Sequence, residues 1–405
     1  MDVVSSRPFW PIADGLPATF PPLERALHCD VAVIGAGVTG ALVAWHLAEA
    51  GIDTVVLDRE DVAHGSTAAS TSLLQYDLDE PLHRLARRFG PEFAVRAYRR
   101  CRDALDATAR LVRRLPHDCG FARQRSLLLA TNRAHVAGLK KEFAARQAAG
   151  FAVEWWPRRR LAAESTLPHP AALFSHEAAQ IDAYRFTYAL LEAAVKKGAR
   201  VFSHTTVTRR RTHARGVELR TSRHATVRAR QVVIATGYAA DALLPERATA
   251  LHSTYALVSE PVANFAGWPA DCCLIWETAR PYLYLRTTPD GRAMIGGYDE
   301  PFRDPARRDR MLPRKSAALH RRFRQLFPRI PLEVATAWAG TFADTPAGLP
   351  YIGLHPRVPH TWFALGYGGN GITFSIIAAE IIRAGVQGRV DRDAELFGFE
   401  RENAA

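Results

Sequence analysis

No run of about 20 apolar residues occurs in the sequence, so no membrane-spanning helix is expected. The opening residues, MDVVSSRPFWPIADGLP, hold no apolar signal core. Residues 1–24 read as an irregular arm, and a cytoplasmic location is the expectation. The cysteines at 29, 101, 119, 272 and 273 show no C-x-x-C and no Cys/His spacing suited to a metal, so none is expected. Reduced, buried thiols fit this scatter better than a disulfide framework, with a redox role for the neighbours Cys272 and Cys273 as the alternative. Lysine is scarce, at 140, 141, 196, 197 and 315, so arginine carries nearly all of a net charge of +12. The arginines are dispersed, the runs at 158–160 and 209–211 are short, and no aromatic-interleaved basic patch is visible, which argues against a nucleic-acid partner.

What is present is apolar enough for a large core, 48% of 405 residues, and long enough for about two domains. CDVAVI at 29–34 reads as a buried parallel strand. GAGVTG follows at once, then the helical ALVAWHLAEAG and a second strand, TVVLD, closing on Asp58. This is the strand, turn, helix, strand and acid of a dinucleotide site. Gly35 permits the tight turn, Gly37 lets backbone approach a pyrophosphate, and Gly40 lets helix and strand pack closely. Val38 and Thr39 open the helix, whose N–H groups favour phosphate. Asp58, with Arg59 beside it, is placed to accept both ribose hydroxyls and would repel a 2′-phosphate. Residues 65–72 then form a small, hydroxyl-rich segment that suits close passage along a cofactor or a polar surface loop. Ser66, Thr67, Ser70, Thr71, Ser72 and, just beyond, Leu74 are its candidate contacts.

A second G-x-G-x-x-G stands at 366–371, between the strand TWFAL and the helix ITFSIIAAEIIRAG. The 20 or so residues after that helix are too few and too polar for a second nucleotide domain. The turn is therefore expected in the same sheet, its helix N-terminus aimed at the far end of one long cofactor. FAD touched at both ends fits, since a reduced flavin gains negative charge that a positive helix end stabilises. NAD leaves residues 338–373 unexplained.

Together these segments resemble the D-amino-acid oxidase/glycine oxidase/sarcosine oxidase superfamily of flavoproteins, in the amine-oxidising branch around gamma-glutamylputrescine oxidoreductase. The resemblance runs from FPPLERALHCDVAVIGAGVTG, through IDAYRFTYALLEAAVKKGARV and RPYLYLRTTPDGRAMIGG, to WAGTFADTPAGLPYIG and FALGYGGNGITFS. It implies an α/β fold: a discontinuous Rossmann-like FAD-binding domain (25–80, 178–248, 335–395) and an α+β substrate domain with a mixed or antiparallel sheet (81–177, 249–334). Residues 396–405 are left as a tail. It also implies backbone contact to adenine at Val207, a strand return at Thr236 and Gly237 beside the adenosine and pyrophosphate, and flavin contacts at Gly340, Gly366, Gly368, Gly369, Asn370, Gly371, Ile372 and Thr373. Asn370 has tolerance of an unusual backbone angle as its bland explanation. Two departures stand out. The Arg that follows W-x-G in glycine oxidase-like members is replaced by Thr341 and Phe342. Residues 338–347 contain no Cys or His, so non-covalent FAD is expected.

The implied reaction is hydride transfer from a carbon bearing nitrogen to FAD, giving an imine, with a small amine or amino acid as substrate and O2 or a quinone as acceptor. Tyr282, Tyr284 and Arg286 alternate along one strand face. Arg286 suits a bidentate carboxylate grip or a structural ion pair. Tyr255 projects from a neighbouring strand or packs in the core. Gln75 and Tyr76 follow the small-residue segment and are placed to cover the flavin. The rival functions are action on a modified tRNA base and a flavoprotein without turnover.

Overall fold

Two sheets of opposite character divide the chain. The structure, a computed structural model, describes residues 2–238, 240, 244 and 249–401. In the first sheet Arg200–Phe202, Thr54–Leu57, Leu27–Ile34, Thr226–Ile234 and Val358–Leu365 run parallel, side by side in that order. Tyr351–His355 closes one edge antiparallel, and Val207–His213 with Gly216–Thr221 form a meander on Thr226–Ile234. The parallel strands are apolar because both faces are covered. The helices Val38–Glu49, Ala183–Lys196 and Gly371–Val386 pack together on one face, around Leu42, Ile377 and Leu190. The other face buries Ala32, Val55 and Ile234 with Val217 and Leu219 of the meander. Leu27–Ile34 lies between the strand that follows it and one returning from some 200 residues away. At such a switch point a crevice opens beyond the strand ends, and ligands of open α/β sheets bind there.

Among the described residues the second sheet has ten strands. Its path is Val4–Ser6, Val334–Asp344, Ala250–Ser259, Ala293–Pro301, Leu283–Thr287, Leu274–Glu277, Ala122–Leu129, Ala171–Gln180 and Leu73–Gln75, with Val153–Pro157 also on Ala171–Gln180. Every neighbour pair is antiparallel except Leu274–Glu277 with Ala122–Leu129. The fold class is thus the expected one, but boundaries move. Leu73–Gln75, most of Val334–Asp344 and the end of Ala171–Gln180, expected in the FAD-binding part, hydrogen-bond into the larger sheet. The arm is not irregular: Val4–Ser6 pairs with Trp338, Ala339 and Gly340, and the helix Phe9–Asp14 buries Phe9 and Trp10. The expected boundary at 248 and the last four residues of the tail lie outside the described residues. The rest of that tail is docked, with Leu396 and Phe397 fully buried.

Residues 81–115 form two helices, Leu82–Phe89 and Pro91–Val112, broken where Gly90 takes φ +87°. The longer one lies chiefly on Gly371–Val386, tied by Arg100 to Glu380 at 2.9 Å, and touches the larger sheet only at its margin. Of the described helices none is long and apolar enough to cross a membrane.

One buried pair is expected to make the fold sensitive to pH. Asp182 caps Ala183–Lys196, accepting from the N–H groups of Tyr184 and Arg185 at 2.9 Å. Burial first, and the neighbouring Asp14 carboxyl second, push its pKa far above the usual carboxylate range. A raised folded-state value means the native chain holds a proton that the unfolded chain has released. The associated stability is full below about pH 4 and is lost as pH rises through the folded value. The urea midpoint is expected to fall between about pH 5 and pH 9. Asp182→Asn, which keeps a capping oxygen, should flatten that slope; an unchanged slope would remove Asp182 as its source.

Candidate active site

The first turn is built by backbone constraint. Gly35 sits at φ +106°, and its N–H donates to Leu57 O at 2.8 Å. A Cβ there would strike the Ala235 carbonyl, and one at Gly40 would strike the carbonyl of Gly35. These two glycines are therefore required by the chain itself. Gly37, at φ −74°, is extended rather than left-handed, and a Cβ would lie 3.0 Å from the Thr67 hydroxyl. That hydroxyl accepts from Val38 N at 3.0 Å, so the hydroxyl-rich segment reaches the helix N-terminus. Asp58 accepts from Ala36 N at 2.6 Å and from Glu60 N at 3.0 Å. Burial raises its pKa, partly offset by those two N–H groups.

The second turn belongs to the same sheet, with Val358–Leu365 parallel to Thr226–Ile234. Gly366 and Gly368 take φ +77° and +54°. Asn370, at φ −98°, needs no unusual angle. Its side-chain amide instead donates to the carbonyls of Gln75 and Asp77 at 3.1 and 2.9 Å, and Thr373 donates to Gln75 O at 3.2 Å. The turn is stitched to the segment 75–79. Asp77 in that segment pairs with buried Arg146, which also binds Glu142 at 2.6 Å.

A cavity of about 1180 Å³ connects the two turns. It runs from Val207, Arg209 and Arg210, past Gly35, Gly37, Asp58 and Thr236, along Ser66 to Ser72, to Tyr282, Tyr284 and Gly369. Residues 30–384 match the family described as FAD dependent oxidoreductase. The chain belongs to that family. Gamma-glutamylputrescine oxidoreductase of Escherichia coli is 25% identical, over 93% of this chain and 87% of its own. A putative Rieske 2Fe-2S iron–sulfur protein of Bacillus subtilis is 29% identical over 49% of this chain, which spans only 38% of that protein. The crystal structure of glycine oxidase from Geobacillus kaustophilus shares the fold, with a TM-score of 0.76 at 21% identity over 91% of this chain and 96% of that one.

The cavity fits FAD on its own terms. It is elongated, glycine backbone lines it at both turns, and it holds polar atoms in need of a partner: Thr236 Oγ1 and Gln75 Nε2 are buried without one. A buried, unpaired polar group costs about 1–3 kcal/mol, which a bound cofactor or substrate recovers. The helix Val38–Glu49 presents its N-terminus to this space and Gly371–Val386 presents a second. Of the described residues no group of three or more His, Cys, Asp or Glu is placed to hold a metal ion.

Most of the residues named from sequence line this cavity: Val38, Thr39, Arg59, Thr67, Ser70, Thr71, Gly237, Gly340, Asn370, Gly371 and Ile372 do, as do Gln75, Tyr282 and Tyr284. Five do not. Gly40 packs against Gly35, Leu74 is core, and Thr373 braces Gln75. Tyr255 is 1% exposed in the core of the larger sheet, under Lys315. Arg286 is also 1% exposed, and one terminal nitrogen lies 2.9–3.1 Å from the carbonyls of Thr71, Ser72 and Ile181. It holds the hydroxyl-rich segment to the larger sheet through that nitrogen, its other terminal nitrogen is buried without a partner, and Arg286 does not line the cavity. Tyr76, expected over the flavin, stacks instead on Phe151 at 5.0 Å. The thiols have no partners in disulfides; burial pushes Cys29 up to about 12 and Cys273 further, so neither forms a thiolate readily.

The cavity also recruits residues the sequence did not mark. Asp79, Thr254, Trp276 and Asp299 line its inner end with Tyr282 and Tyr284, and Asp2, Val4, Arg7 and Ile12 of the N-terminal segment line it too. Trp276 had a usable signal, since LIWE pairs in register with YLYLR and sets Trp276 opposite Tyr284. Asp299, in an ordinary strand-end YDE, had none.

Proposed function

We propose that this FAD-dependent oxidoreductase oxidises the C–N bond of an amine or amino acid to an imine. The observation that carries this reading is the inner end of the cavity, where Trp276, Tyr282 and Tyr284 wall a space that reaches the second turn. Such a wall excludes water and orients an apolar carbon, which is what removal of a hydride requires of the protein. FAD, when bound, supplies the hydride acceptor. The chain would hold its adenosine end at Asp58, Val207 and Thr236, its phosphates at Gly35, Gly37 and the start of Val38–Glu49, and its ring end between Thr71, Gln75 and the turn at 366–371. The names of the relatives, gamma-glutamylputrescine oxidoreductase and glycine oxidase, support the substrate class.

The holoenzyme is expected to lose its flavin colour anaerobically when mixed with some member of a panel of amines and amino acids, and to regain it with O2 or a quinone. A flavin that dithionite reduces and no amine or amino acid does would end this reading. Intact mass should equal the bare chain, because residues 338–347 hold no Cys or His; a mass raised by one FAD would rule out non-covalent binding.

A further inference from the structure

The inner end of the cavity has a charge and a shape that narrow the substrate further, given the reading above. Trp276 and Tyr282 stand edge to face, ring centroids 5.9 Å apart at 78°, and Tyr282 and Tyr284 repeat this at 6.0 Å and 66°. Three rings at steep angles make a concave wall rather than a stack. Asp299 lies on the strand between those carrying Tyr284 and Thr254 and lines the same space. Its Oδ1 is buried without a partner from the chain; burial raises the pKa of the carboxyl to about 6, against a hydrogen bond from Thr254. Cations around it are committed elsewhere: Lys315 to Glu300 and to Tyr298 O, each at 2.7 Å, and His252 to Asp344 at 3.1 Å. The other acids differ. Asp77 is paired with Arg146, and Asp79 accepts from Gly369 N at 2.9 Å with Arg280 3.7 Å away. Of the arginines that line the cavity, Arg59 neighbours Asp58 in sequence, Arg209 and Arg210 follow Val207, and Arg7 belongs to the N-terminal segment. Arg286 does not line the cavity, and its Nε and Nη1 are held by carbonyls.

A carboxylate brought here would meet Asp299, and the nearest guanidinium, Arg280, lies over the Tyr282 ring at 4.7 Å and is already held by Asp79, 3.7 Å from its carboxylate and 2.5 Å from its carbonyl. An ammonium would meet a carboxylate and the negative faces of aromatic rings, the arrangement that recognises alkylammonium groups. We propose that Asp299, Trp276, Tyr282 and Tyr284 form a cation subsite, so that the substrate is an amine presenting an ammonium group to this wall and no carboxylate beside it. This rests on the amine and amino-acid reading, and within it chooses the amine. Asp299 acts by charge, and the rings act by shape and by their quadrupoles.

The test uses the holoenzyme and reads binding from the change in flavin absorbance, without turnover. Tetramethylammonium serves as an unreactive cation and acetate as an unreactive anion. Tetramethylammonium should bind saturably and acetate should not. Asp299→Asn, equal in size, should weaken the cation at least about tenfold with flavin content unchanged, and Trp276→Leu should weaken it as well. In anaerobic bleaching an amine such as 1,4-diaminobutane should outrun the matched amino acid that carries an added carboxylate. Acetate binding as tightly as the cation, or a cation affinity indifferent to both substitutions, would overturn the subsite. Bleaching by amino acids alone would also overturn it and leave the broader reading standing; no bleaching by either class would defeat the broader reading.

Discussion

Arg286→Met is expected to cost the protein about 3 kcal/mol of stability and to leave the relative KM values of amines and amino acids unchanged. The side chain is fully buried, and its burial lowers the guanidinium pKa to about 9, so it remains charged at neutral pH. It lies 5.5 Å over the ring of Trp10 and donates to Thr71 O, Ser72 O, Ile181 O and, at 3.2 Å, Thr287 O. Methionine fills much of the volume but takes the arginine donor from all four carbonyls, leaving Ser72 O with the N–H of Ile181 at 3.4 Å. Each carbonyl left without a donor costs about 1–3 kcal/mol, set against relief from keeping a charge out of water. Arg286→Lys should restore part of the loss, because three of the four carbonyls are met by one terminal nitrogen that an ammonium can replace, while the bond from Nε to Thr287 O is lost. Thr71 and Ser72 line the cavity, so weaker flavin retention is a secondary expectation. The measurements are urea unfolding and parallel kinetics on an amino acid and its decarboxylated amine. A selective rise in KM for the amino acid, with the urea midpoint intact, would return Arg286 to the role of carboxylate grip.

That reversal shows where sequence reading stops. Alternation along YLYLR correctly put Tyr282, Tyr284 and Arg286 on one face, because pleating fixes the side. It says nothing of depth along the strand. Two residues beyond Tyr284 the same face no longer meets the cavity but runs beneath residues 71 and 72. Tyr255 fails for the same reason, one sheet face being buried by Leu319 and Phe323 of the helix Pro305–Leu326. Turns are more legible. Gly35 and Gly366 are dictated by φ and by nearby carbonyls or side chains, and the strand before the second turn joins the sheet of the first. The long-range pairings carried no local sign. Nothing in VSS at 4–6 announces a strand on Val334–Asp344, and Asp299 acquires its position only because three strands meet around it.

Gly40→Val should have the largest effect of any single change at the first turn, leaving the chain almost free of flavin. Gly40 is fully buried where Val38–Glu49 crosses Leu27–Ile34. Even a methyl group would fall on the carbonyl oxygen of Gly35, a backbone atom that cannot rotate away, and within 3.4 Å of Val33 Cγ1. The helix must then shift outward, and the turn at 35–37 shifts with it. Asp58 grips that turn through Ala36 N at 2.6 Å, so the ribose and pyrophosphate positions are disturbed together. Overpacking of this kind costs about 3 kcal/mol or more, and 1.4 kcal/mol is a factor of ten in affinity, so FAD should bind at least about a hundredfold more weakly. Gly138→Ala is the control. That glycine sits in the helix Val136–Ala148 with nothing within 4 Å of a Cβ, and alanine there should hold or raise stability by about 0.5–1 kcal/mol. Flavin per chain after gel filtration, and circular dichroism to show that the apoprotein keeps its fold, separate loss of the site from loss of the protein. Full flavin occupancy in Gly40→Val would mean that the first turn does not set the cofactor's position.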